Sequence, residues 1–108
     1  TMQEKMKIKK RHEFEFVIDD RNIYHYAADF RSPQAKAQFR NYLQLKESYN
    51  LQQNKLENMR IQYSRANQNE RSKMAPAILD LEKRVLQLAN EVDRTAIQVR
   101  KLEKQTIK

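Results

Sequence analysis

The chain has 108 residues, a net charge of +8 and a mean hydropathy of −1.03, and it contains neither glycine nor cysteine. A length of this order fits one domain. The missing cysteines exclude disulfides, thiol catalysis and thiolate metal sites, and the missing glycines exclude the phosphate-cradling loops and nucleophile elbows built on that residue.

Residues 1–12 form a basic N-terminal segment, with Lys5, Lys7, Lys9, Lys10 and Arg11 against Glu4. The segment is read as partly disordered or as an extension of the strand that follows, with a localisation signal or a membrane-surface patch as the functional alternative. It lacks the apolar run of a signal peptide, and no stretch of the chain has the length and apolar character of a membrane span, so a cytoplasmic setting is the expectation.

Residues 13–31 are predicted to form a two-stranded antiparallel β-hairpin. Period-two alternation puts Phe14, Phe16 and Ile18 on one face of a strand running from Glu13 to Asp19. Asp20-Arg21-Asn22 suits a three-residue loop, and a second strand follows from Ile23 to Phe30. That loop pairs Ile18 with Tyr24, Phe16 with Tyr26, Phe14 with Ala28 and His12 with Phe30, which makes one face of the ribbon aromatic. Glu13, Glu15, His25 and Asp29 fall on the opposite face. Carboxylates and an imidazole together suggest a divalent-metal site, but the spacing matches no ligand pattern, and a solvated strand face with local charge pairs accounts for it. No metal or other cofactor is expected.

Residues 32–108 are predicted to form an antiparallel helical hairpin. Ser32 is the expected N-cap, with Pro33 at the first helical position. From there Ala35, Gln38, Tyr42, Leu45, Tyr49, Gln52, Leu56, Met59, Tyr63 and Ala66 alternate steps of three and four, the signature of a coiled-coil seam. After a polar break the same rhythm returns in Met74, Ile78, Leu81, Val85, Leu88, Val92, Thr95, Val99, Leu102 and Thr106. A first helix to about Asn67 and a second from about Lys73 to Lys104 follow, with Ser72 as N-cap and the tip near residues 68–75. Centring the turn on Ser72 sets Tyr63 against Leu81, Leu56 against Leu88 and Tyr49 against Thr95. The expected fold is therefore mostly α: a long antiparallel two-helix hairpin, a coiled coil, preceded by a two-stranded antiparallel β-hairpin.

A two-stranded ribbon is not stable alone, so its aromatic face is expected to pack on the open end of the helical hairpin, over Phe39 and Leu43. Leu79 and Leu86 lie off the seam of the second helix, where single exposed leucines are common; with so little core in the chain, they are candidates for a dimer contact. With no catalytic motif, the expectation is a non-enzymatic assembly module that oligomerises, as a dimer first, or docks a protein partner through its β-hairpin end. The interface residues would be Phe14, Phe16, Tyr24, Tyr26, Phe30, Phe39, Leu43, Leu79 and Leu86. The alternative is electrostatic, sequence-nonspecific binding of nucleic acid at the basic hairpin tip, through Lys55, Arg60, Arg65, Arg71, Lys73, Lys83 and Arg84. The tip offers no aromatic side chains for base stacking, which leaves phosphate contacts as its only means.

Overall fold

The computed structural model describes residues 14–107. In chain order they form β1 (Phe16–Val17), β2 (Ile23–Tyr24), a 3-10 turn (Ala27–Asp29), α1 (Pro33–Arg65) and α2 (Gln68–Thr106). The two long helices pack against each other, and a two-stranded antiparallel sheet precedes them. This is the expected architecture. The basic segment, Glu13, and the pairing of His12 with Phe30 lie outside the described residues.

The chain divides into two compact units. The ribbon unit comprises Thr1–Asn41 with Thr95–Lys108, of which 14–41 and 95–107 are described. The arm unit is Tyr42–Arg94.

In the ribbon unit the strands are shorter than expected and their register differs by two residues. Phe16 pairs with Tyr24 and Val17 with Ile23, in place of Phe16 with Tyr26. Two local devices explain this. Asp19 accepts hydrogen bonds through its carboxylate from the amides of Arg21 (2.8 Å) and Asn22 (2.9 Å) and from the Asn22 side chain (3.0 Å). The turn is therefore built from Asp19 to Asn22, an Asx turn placed one residue earlier than the expected loop. The Arg21 amide, and then the Asn22 side chain, hold the Asp19 carboxyl below its ordinary range. Beyond Tyr24, the Asp29 carboxylate accepts from the amides of His25 (2.9 Å) and Tyr26 (3.0 Å). This stops the second strand and winds the chain into the 3-10 turn. A shift of two preserves which face each side chain occupies, so Phe16, Ile18 and Tyr24 still point inward and are buried.

Ser32 caps α1 as expected: its hydroxyl accepts from the Ala35 amide (3.1 Å) and its carbonyl from the Lys36 amide (3.0 Å).

In the arm unit the tip falls at Ala66 and Asn67, earlier than the expected 68–75, because Asn67 and not Ser72 is the cap of α2. The Asn67 side chain accepts from the Glu70 amide (2.8 Å), and its carbonyl from the Arg71 amide (2.9 Å). Ser72 lies within the helix, its hydroxyl bonded back to the Gln68 carbonyl (3.0 Å). The helix runs through Pro76, which lacks the amide that would reach back to Ser72. The earlier turn tightens the pairing of the helices by one heptad. Leu56, Ile78 and Val85 form the buried cluster, with Tyr49, Met59, Met74 and Leu81 packed around it. Leu56 therefore belongs with Ile78, Leu81 and Val85, not with Leu88, and Tyr63 lies beside Ala75 and Ile78, not opposite Leu81. Heptad phase is indifferent to a step of seven, so most seam side chains stay buried or half-buried although their partners change; Tyr63 and Thr106 are exposed.

Candidate functional site

Among the described residues, the most constrained chemistry is in the ribbon unit. Phe39, on the first turns of α1, sits among three other rings: Phe14 at 4.6 Å, Phe30 at 4.8 Å and Phe16 at 5.1 Å between centroids. Tyr24 meets Phe30 edge-on at 4.9 Å. These separations are those aromatic pairs prefer, and Phe16–Phe39 and Tyr24–Phe30 meet edge to face. The arrangement gives the ribbon's inner face a mount and fills the space under it.

Beside the rings lies a carboxylate that the sequence reading did not single out. Glu103, near the end of α2, has 0% of its surface exposed. The Tyr24 hydroxyl donates to it at 2.5 Å, the Ser32 amide at 3.0 Å, and the Arg31 amide reaches both oxygens at 3.1 and 3.2 Å. One side chain thus joins the second strand, the entry to α1 and the last turns of α2. The carboxylate also occupies the positive end of the α1 dipole, where an anion is stabilised. Burial, and then the bond to Glu103, push the Tyr24 hydroxyl up to about 12. The sequence did carry a signal for this. On α2, Val92, Ala96 and Val99 continue at helical spacing to Glu103, a carboxylate on an apolar stripe, which is stable only with donors aimed at it.

Arg100 completes the lock from the outer side. Its Nε donates to the Val17 carbonyl at 2.8 Å, and its guanidinium lies 4.9 Å from the centre of the Phe16 ring.

The residues named as interface candidates therefore separate. Phe16, Tyr24, Phe30 and Phe39 are buried by their own chain, and Phe14 is half-buried. They pack against one another within the chain and hold the ribbon in place. Leu43 is exposed; Tyr26 is also exposed, carried outward by the 3-10 turn. What the ribbon shows on its outer face is the cross-strand pair Val17 and Ile23, 44% and 45% exposed. His25 and Asp29 are engaged with the backbone, His25 Nδ1 with the Phe14 carbonyl at 2.9 Å. Among the described residues, no group of three or more His, Cys, Asp or Glu side chains is placed to hold a metal ion.

The seven tip cations also separate. The Arg71 guanidinium donates to the carbonyls of Tyr63 (2.9 Å) and Ser64 (3.1 Å) and stacks 5.3 Å from the Tyr63 ring. It caps the C-terminus of α1, joining the Ala66 amide on the Tyr63 carbonyl (3.2 Å). Arg60 bridges to Glu82 at 3.2 Å. Lys55, Arg65, Lys73, Lys83 and Arg84 are exposed. Among the described residues, no helix is long and apolar enough to cross a membrane.

No protein-family model, curated protein or solved structure matches the chain.

Proposed function

We propose that this chain is a non-enzymatic assembly module that docks a partner surface, a further copy included, through the outer face of its β-ribbon. The observation that carries this reading is the exposed Val17–Ile23 pair on a ribbon whose inner face is fixed by the ring cluster and Glu103. A two-residue strand pair has no intrinsic stability. Here it is held by its own chain, so its outward face is a pre-organised apolar surface that binds with little loss of conformational freedom. The contact is face-on. Arg100 already occupies the Val17 carbonyl, and a strand adding along that edge must displace the guanidinium.

The test is sedimentation of the full chain and of a Val17→Asp/Ile23→Asp variant. Association of the wild-type chain is expected to weaken in the variant while helical circular dichroism is unchanged. A mass distribution indifferent to both substitutions contradicts the reading.

Phosphate binding at the tip ranks second. Two of its seven cations already have partners within the chain, and the remaining five define a smaller electrostatic footprint. It predicts retardation of duplex or RNA that weakens steeply with salt and with Arg65→Glu/Lys73→Glu. Absence of binding at low salt removes it.

A further inference from the structure

The arm unit carries a second surface, independent of the ribbon. Leu79 and Leu86, 56% and 63% exposed, stand one heptad apart on α2. Ala75, Glu82 and Ala89 interleave with them at helical spacing, which gives α2 a second stripe beside its seam. Three adjoining hollows along this side share their lining residues: the first and second have Arg60 and Glu82 in common, the second and third Tyr49 and Ala89. They form one groove between α1 and α2, from Ala75 to Asp93, roughly 27 Å long.

We infer that the occupant of this groove is a second copy of the chain, related by a two-fold axis running parallel to the helices. Charge and shape along the groove select this occupant. Arg60 on the α1 bank lies level with Glu82 on the α2 bank, and the two are bonded. Tyr63 and Leu79 line one hollow, and Gln53 and Leu86 the next. A two-fold axis along the groove places α1 of one copy over α2 of the other at the same level. Arg60 then meets the second copy's Glu82, the Tyr63 ring covers the second copy's Leu79, and each copy serves the other with the same patch. An axis across the groove at that level sets Glu82 against Glu82 and Arg60 against Arg60, and like charges exclude it. A face of this length and about two helix diameters wide buries roughly 550 Å² per copy, the low end for specific interfaces, so association in the micromolar range is expected.

The test uses the full 108-residue chain with Val17→Asp/Ile23→Asp, so that the ribbon face does not contribute. Sedimentation equilibrium is expected to show the mass rising with concentration from 13.1 kDa to its double. Leu79→Lys/Leu86→Lys is expected to weaken this dimer at least about a hundredfold with circular dichroism unchanged, since both side chains are exposed in the single chain. A chain that stays monomeric, or a dimer indifferent to the lysines, overturns the inference; a monomer leaves the groove to a helix of another protein. Spin labels at Asn69→Cys, the only thiol then present, report the axis. Because Asn69 lies about 20 Å along α2 from Glu82, an axis across the groove separates the labels by about 40 Å along the helices. The inferred axis brings both tips to one end and keeps the labels within about 20 Å; a separation near 40 Å contradicts it.

Discussion

The ribbon unit and the arm unit solve the same problem in different ways. Both must hold together with little apolar surface and no glycine turns. The arm repeats one solution, a seam of half-buried side chains around the small cluster of Leu56, Ile78 and Val85. The ribbon unit depends on individual contacts: one ring among three others, and one carboxylate with three donating groups. Repetition tolerates the loss of a layer because its neighbours remain. A unit made of single contacts does not, so substitutions should be felt most there.

The largest expected effect is Phe39→Ala, which removes the ring against which Phe14, Phe16 and Phe30 pack and should destabilise by about 3–5 kcal/mol in denaturant unfolding. A loss under 1 kcal/mol means the ring cluster does not organise the unit. Glu103→Ala leaves the buried Tyr24 hydroxyl and Ser32 amide without an acceptor, at about 3 kcal/mol; Glu103→Gln, which still accepts, should lose less. If the two substitutions prove equivalent, the hydrogen bonds are not what Glu103 contributes. Asn67→Ala removes the cap that sets the arm's turn and should destabilise by about 1 kcal/mol. Arg60→Ala, at an exposed ion pair, should change the stability of the single chain by no more than about 0.5 kcal/mol.

Alkaline pH separates the two units further. The Tyr24 hydroxyl has a folded-state pKa of about 12, above its ordinary value of 10.0. Its contribution to stability is complete below pH 10 and is lost as pH rises towards 12, where the ionised oxygen faces Glu103 with no proton to donate. Unfolding free energy measured across that window should fall in the wild-type chain. In Tyr24→Phe this part of the fall should be missing.

The arm was legible because its signal is periodic. Heptad phase identified the inward-facing positions of both helices, and Ser32-Pro33 marked the start of α1. The same periodicity concealed the register, since a slip of seven leaves every a and d position in the seam. Only the capping chemistry of Asn67, weighed against Ser72 and Pro76, decides where the turn falls. In the ribbon, alternation identified the inward face of Phe14, Phe16, Ile18 and Tyr24. The pairing depended on a side chain, Asp19, bonding to its own turn, and the end of β2 on Asp29 doing the same. Glu103 was the hardest to see. A glutamate near a helix end is ordinarily solvated, and its donors come from residues more than seventy positions away.

Hydrogen exchange measured amide by amide, with and without Glu103→Ala, tests most directly whether the ribbon is a surface anchored by its own chain. The informative probes are the Ile18 amide, bonded to the Asn22 carbonyl, and the Phe14 amide, bonded to the His25 carbonyl. In the wild-type chain both should be protected, and Glu103→Ala should release them while amides around Leu56 and Val85 keep their protection. Ribbon amides that exchange freely in the wild-type chain, or that stay protected after Glu103 is removed, would contradict the anchored surface on which the proposed docking depends.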